Sequence, residues 1–503
     1  MLNIYYILYV ERFFVDIRKS SGLIMHPTSL PSKYGIGDLG ESSKLFIDYL
    51  HETKTKIWQV LPLGPTDEVE YSPYSSSSSV LGNINLINLD NLKNIQENIF
   101  EIPKFSNQIV DYKNVYEFKE KIFEDISKNI NINEKSYQNF LDNKVIRKHI
   151  TFLTLEKIKK ETWTNWSEQE QTYSDQLFEY LVNKHELEFK FILYTQYEFF
   201  QQWNELKSYA NSLGISILGD IPIYVNHNSA DVWSNSSLFE LDEKGNMSFV
   251  SGAVPDDFTV EGQIWNTTLY NWENNRSNDY QYWINKLQNN LDKFDYLRID
   301  HFVGFFQYWA IPINEPALNG EWRKGPWKTF FEVVSKHISM SKLLAEDLGV
   351  VLSETDQILK EYNIPGMKVL QQRIPSSDKN DEIHPQEWGE GLIAYTGTHD
   401  SPTVQQWLDE ANEVQTRYFN NYKSTLDLSF KNDVWDFISL VWESPCILSI
   451  TTVQDLLELD KKARFNIPGT QKGNWTWRLD DLKELEKTIE NLKSLNEKNS
   501  RII

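Results

Sequence analysis

Tyr296-Leu-Arg-Ile-Asp-His301 alternates so that Arg298 and Asp300 share one face and Leu297 and Ile299 the other, the two-residue period of a β-strand. An inward Arg beside an inward Asp keeps the Asp ionised, as a nucleophile requires. The same pair also fits a structural ion pair inside a barrel. Two more strand-like segments end in acids: Leu343-Leu-Ala-Glu-Asp-Leu348, with Glu346, and Ile393-Ala-Tyr-Thr-Gly-Thr-His-Asp400, with Asp400. An ionised acid rarely ends an apolar strand unless something offsets its desolvation, so three of them point to one shared polar site and to catalysis. Glu346 and Asp347 are adjacent, so only one faces that site, and the spacing leaves open which. His399 and Asp400 offer a donor and an acceptor at a strand end, where a hydroxyl-rich ligand can be gripped.

Outward from these segments, short β-rich runs alternate with longer helix-patterned ones. The strand candidates are residues 22–26, 57–61, 215–223, 296–300, 342–346, 367–370, 392–396 and 447–452. Eight such strands with crossover helices predict an α/β fold, a (β/α)8 TIM barrel. Several end in polar turns, where barrel active sites lie. The 503 residues exceed the roughly 250 of a plain barrel, which predicts large insertions. Residues of about 89–190 read as a mostly helical insertion, with Val115, Phe118, Ile122 and Ile126 on one stripe and Asn114 and Glu117 spaced like a capping box. A second stripe, Phe189, Leu193, Gln196, Phe200, Trp203 and Leu206, leads into the third strand as its barrel helix. Residues 226–272, rich in Ser, Asn, Gly and Trp without clear period, read as a loop covering the mouth, continuing to about 290. The expected plan is an N-terminal extension over 1–20 and one catalytic barrel over 21–503, with no separate C-terminal β-domain. The apolar start, Met1 to Val10, is interrupted by Glu11 and Arg12, has no basic residue before it, and reads as surface packing, not a signal.

A net charge of -22 repels phosphate backbones and anionic lipid heads, and no apolar run reaches the roughly 18 residues of a membrane span, so nucleic-acid and membrane partners are not expected. The 14% aromatic content, beyond what the core uses, suits the flat apolar faces of sugar rings. Cys446 is the only cysteine, which removes internal disulfides and cysteine-based metal sites and suggests a reducing, cytoplasmic setting.

Many distinct motifs follow one another along the chain: His26-Pro-Thr-Ser-Leu-Pro31 with Tyr34-Gly-Ile-Gly-Asp-Leu-Gly40, Trp58-Gln-Val-Leu-Pro-Leu-Gly-Pro65, Ser72-Pro-Tyr74, Gly219-Asp-Ile-Pro-Ile-Tyr224, Ser229-Ala-Asp-Val-Trp233 and Gly262-Gln-Ile-Trp265. They continue through Arg298-Ile-Asp-His-Phe302, Ala345-Glu-Asp-Leu-Gly349, Pro365-Gly-Met-Lys-Val369, Tyr395-Thr-Gly-Thr-His-Asp400, and Asn466-Ile-Pro-Gly-Thr470 with Gly473-Asn-Trp475. On this ordered set the chain resembles the 4-alpha-glucanotransferases, also called amylomaltases or disproportionating enzymes, of the alpha-amylase clan.

The resemblance implies that Asp300 is the nucleophile, Glu346 the general acid and base, and Asp400 the carboxylate that grips sugar hydroxyls and favours the distorted transition state. It further implies that Arg298, His301 and His399 hold the nucleophile and the sugar, that Asp220 orients Arg298, and that Tyr74 stacks on the sugar. Trp265 and Asp256 look like the acceptor side. The implied reaction cleaves an alpha-1,4-glucan and transfers it to the 4-hydroxyl of glucose or a maltooligosaccharide by double displacement, with no metal or organic cofactor. A monomer and a homodimer are both open. An alpha-amylase-type hydrolase and a non-catalytic glucan binder are the alternatives. Four positions depart from the family pattern: a usual Tyr is Asp257, a Gly after the tryptophan is Asn266, an Arg is Val303, and an Asn is Ser401.

Overall fold

The computed structural model describes residues 18–67, 69–92, 100–255, 261–349, 352–377 and 383–502. Its centre is an eight-stranded parallel sheet, built from β1 (Ser20–Ile24), β2 (Ile57–Gln59), β3 (Ser216–Pro222), β4 (Tyr296–Asp300), β5 (Leu343–Ala345), β6 (Met367–Val369), β7 (Ile393–Tyr395) and β8 (Leu448–Thr452). Their spatial order is 5-4-3-2-1-8-7-6, and Ala345 N donates to Pro365 O (2.9 Å) across the remaining gap between β5 and the start of β6. The fold is the expected (β/α)8 barrel, and each observed strand falls within or beside an expected one.

Alternation along the strands sorts side chains between two cores. Ile24, Ile57, Leu218, Leu344, Met367, Val369, Tyr395 and Ile450 form an apolar cluster inside the barrel, while Leu23, Trp58, Ile217, Leu297 and Ile299 pack outward against the helices. Tyr296 packs against the inner cluster, so Arg298 and Asp300 continue its face toward the mouth. Gly219 on β3 allows a close approach: a Cβ there would lie 2.3 Å from the Phe294 ring.

The expected helical insertion contains helices Tyr112–Ser127, Lys135–Leu141, Lys144–Lys159 and Asp175–Lys184, packed on the long barrel helix Glu186–Ser212. The first begins at Asp111, whose side chain accepts from Asn114 N, so the cap lies three residues before the position suggested by Asn114 and Glu117. In the long helix Gln196 and Gln202 face inward. Each brackets one loop residue with a donor and an acceptor: Gln196 meets the backbone of Gly82 (2.8 and 2.9 Å) and Gln202 that of Asn88 (2.7 and 3.0 Å).

The reading of residues 226–290 as a mouth-covering loop is corrected. Strands Val225–Asn226, Phe249–Ala253 and Gln263–Thr268 join Gln307–Pro312 and Glu321–Lys324 in a five-stranded antiparallel sheet, followed by helices Trp272–Ser277 and Gln281–Lys293. Short segments such as Phe-Val-Ser-Gly-Ala lack a clear apolar period, and pairing both with the neighbouring Gln263–Thr268 and with the distant Gln307–Pro312 makes them a sheet. Of the expected extension, residues 1–17 lie outside the described residues, and Ser20 already pairs with Leu448. Among the described residues no helix is long and apolar enough to cross a membrane.

Candidate active site

The polar residues gather at the C-terminal ends of the barrel strands. On β3 and β4 the register sets Asp220 opposite Arg298 and Pro222 opposite Asp300. The Arg298 guanidinium bridges the two acids, 2.5 Å from Asp220 Oδ2 and 2.9 Å from Asp300 Oδ1, and is only 3% exposed. Tyr74 O–H donates to the same Asp220 oxygen (2.9 Å). Burial raises Asp220 to about 6 against the pull of Arg298, and the two carboxylates hold Arg298 well above its usual range despite burial. Beneath this layer Tyr395 O–H donates to Gln59 Oε1 (3.0 Å), closing the barrel interior.

Strand alternation decides between Glu346 and Asp347. Leu344 lies in the inner cluster, so Glu346 faces inward, whereas Asp347 accepts from Met367 N (2.7 Å) and anchors the start of β6. Glu346 Oε2 accepts from His301 N (2.7 Å) and Oε1 from Leu348 N (2.9 Å). Its pKa is pushed up to about 7 by burial and by the Asp300 charge, against Arg298 and the two backbone N–H groups. His301 presents its N–H from a left-handed backbone (φ 54°, ψ 45°), a conformation that costs a β-carbon residue of order 1–3 kcal/mol. Its imidazole is lowered to about 4 by burial, with Asp300 opposing, so it is neutral at pH 7.

Past β7, Asp400 is held at both oxygens. His399 Nε2 lies 3.2 Å from Oδ2, and Asn466 Nδ2 donates to Oδ1 (2.6 Å); Arg464 donates to the Asp400 carbonyl (2.9 Å). Burial pushes Asp400 up, but His399, Asn466 and Arg298 outweigh it and set it at about 2, while Asp400 raises His399. The His399 ring stacks on Tyr74, with centroids 5.0 Å apart and planes 17° apart, and Trp475 flanks both. Trp265, from the antiparallel sheet, meets the His301 ring edge-on at 4.8 Å.

Tyr74, Asp220, Trp265, Arg298, Asp300, His301, Glu346, His399 and Asp400 therefore form one mouth. Asp256 lies outside the described residues, as does Asp257. Asn466 and Arg464 had no assigned role in the sequence reading, although Asn466 opens one of the ordered motifs; their approach to Asp400 spans 66 and 64 residues of chain. Three departures have local accounts. Asn266 has φ 55°, a left-handed position that asparagine tolerates better than most non-glycine residues. Ser401 Oγ accepts from Thr398 N (3.0 Å) and closes the turn before it, and Val303 is buried in the helical turn after Asp300.

A family model described as 4-alpha-glucanotransferase matches residues 25–484. A 4-alpha-glucanotransferase of Aquifex aeolicus is 36% identical over 472 residues, covering 91% of this chain and 95% of that protein. One of Clostridium butyricum is 35% identical, covering 91% and 96%. The solved structure of an amylomaltase from Streptococcus agalactiae in complex with acarbose superposes with a TM-score of 0.89 at 31% identity, covering 96% of this chain and all of that one.

Proposed function

The chain belongs to the 4-alpha-glucanotransferase family, and on that footing we propose that Asp300, Glu346 and Asp400 divide the work of a retaining double displacement on alpha-1,4-glucans. Asp300 attacks C1 of the donor sugar while Glu346 gives its proton to the departing glycosidic oxygen. The bond to the leaving glucan breaks as the bond to Asp300 Oδ forms, giving a beta-linked glucosyl-enzyme. Glu346, now ionised, takes the proton of an acceptor 4-hydroxyl. That oxygen attacks C1, releases Asp300 and restores the alpha linkage. Asp400 grips the ring hydroxyls through the oxocarbenium-like transition state, and Tyr74 stacks on the same sugar.

The observation that carries this division is the contrast between the two central acids. Asp300 faces the Arg298 guanidinium at 2.9 Å, whereas Glu346 is pushed up to about 7, where a proton is held and released near neutrality. Transfer also requires that water be kept from the glucosyl-enzyme while an acceptor is seated. Trp265, packed on His301, and Asp256 are assigned to that acceptor side. A cytoplasmic location belongs to the same proposal, supported by the single, buried Cys446.

Incubation with maltotriose tests the reading. Transfer yields glucose and longer oligomers at a constant number of reducing ends, hydrolysis raises that number, and a glucan binder produces neither. Asp300→Asn abolishes transfer; an unchanged rate in that variant refutes the assignment.

A further inference from the structure

Helix Gln281–Lys293 turns Lys286 and Lys293, two helical turns apart, into the protein, where they are 2% and 3% exposed. Lysines are almost never this buried unless paired. Lys286 Nζ donates to Pro222 O (2.9 Å) and Ile223 O (3.3 Å) at the end of β3, and Lys293 Nζ donates to Val80 O (2.8 Å). An ammonium has three N–H groups, so among the described residues Lys293 keeps two, and Lys286 one, beyond those bonds.

Both lysines line a pocket of about 30 Å³ whose wall also includes Asp220, Tyr74 and Asn290. Asp220 has no exposed surface. Its Oδ2 accepts from Tyr74 and Arg298, while its Oδ1 meets no donor among the described residues. Residues with surplus donors and an unmatched acceptor therefore line one small space, larger than the roughly 10–15 Å³ one water needs. Among the described residues the ionisable groups facing the lysines are Asp231 and His149, and those facing Asp220 are Arg298, Asp300, His399, Tyr74 and Tyr395. Asp231 opposes the burial that lowers Lys286 to about 8 and Lys293 to about 7. Asp231 is the carboxylate that answers both ammonium groups, and Asp220 lines the same pocket.

We propose that this pocket is a built water site, in which one or two ordered waters accept from Lys293 and Lys286 and donate to Asp220 Oδ1, so that both lysines act as positioning residues for the Asp220–Arg298–Asp300 ion-pair chain. The water site rests on the shared pocket and its unpaired polar atoms; the kinetic role rests on the proposed assignment of Asp300.

A crystal structure of the wild-type protein is expected to show water within hydrogen-bond reach of both Asp220 Oδ1 and a lysine Nζ; a dry pocket overturns the site. Lys293→Met and Lys286→Met remove the N–H donors that hold the water. In whichever of them melts cooperatively, the acid limb of kcat on maltotriose moves up by about one pH unit, with KM within about twofold. An unmoved limb, or a loss confined to KM, makes the lysines merely structural and overturns their positioning role. Should Asp300→Asn retain transfer while water is present, the assignment of the acids fails and the water site stands.

Discussion

Removing the Asn466 amide tests how Asp400 is held. Asn466→Ala deletes the 2.6 Å donor to Asp400 Oδ1 and leaves the carboxylate with His399 at 3.2 Å on its other oxygen. A hydrogen bond to a charged group contributes about 1.5–3 kcal/mol, so its loss corresponds to roughly 10- to 150-fold in rate if the bond serves the transition state. Asn466 is partly exposed, which places the expected loss in the lower part of that range. The assay is the initial rate of glucose release from maltotriose over a range of concentrations, with a thermal melt on each variant. Because Asp400 is assigned to bonds that strengthen at the transition state, kcat should fall more than KM rises. Asn466→Asp should be worse, since a second carboxylate at that distance raises Asp400 from about 2 and adds an acid limb to the profile. An Asn466→Ala enzyme with kcat within twofold of wild type, or with the whole loss in KM, would refute the reasoning.

Two further outcomes follow from other groups. With Glu346 at about 7, kcat/KM for maltotriose should fall about tenfold per pH unit above neutrality, and Glu346→Gln should remove that limb along with most activity, while alpha-glucosyl fluoride, whose leaving group needs no proton, is still consumed to give glucosyl-enzyme; a flat profile from pH 6 to 9 argues against Glu346 as the acid. Burial, helped by the His399 charge, lowers His26 to about 3, so the unfolded chain binds a proton there between about pH 6.5 and 3 that the folded chain does not, and stability is lost as the pH falls through that window. At pH 4.5 this amounts to about 3 kcal/mol, and His26→Gln should shrink the fall in Tm between pH 7 and 4.5; an unchanged fall shows that His26 does not drive it.

The eight barrel strands were legible because short β-rich runs alternate with longer helix-patterned ones along the chain, and because Arg298 and Asp300 had to share a face once β4 was a strand. The antiparallel sheet was not legible. Phe249–Ala253 and Gln263–Thr268 carry Ser, Gly, Asn and Thr where alternation would be needed, and their hydrogen-bond partners include Gln307–Pro312, which follows β4. The helix cap at Asp111 was misplaced because Asn114 and Glu117 have suitable spacing by themselves, and only the turn geometry selects between two polar candidates three residues apart.

The sequence by itself determined the barrel and the family it resembles, and singled out three acids as candidates, since side-chain period and ordered motifs are local properties of the chain. The resemblance already favoured Glu346 over Asp347; tertiary structure supplied the physical reason, turning Glu346 toward the mouth by putting Leu344 in the barrel interior. It brought Asn466 and Arg464 to Asp400 across more than 60 residues, and set two buried lysines and Asp220 around one pocket. The physical reason is that charge state and hydrogen-bond partnership depend on distances through space, which a barrel closes between strand ends far apart in the chain.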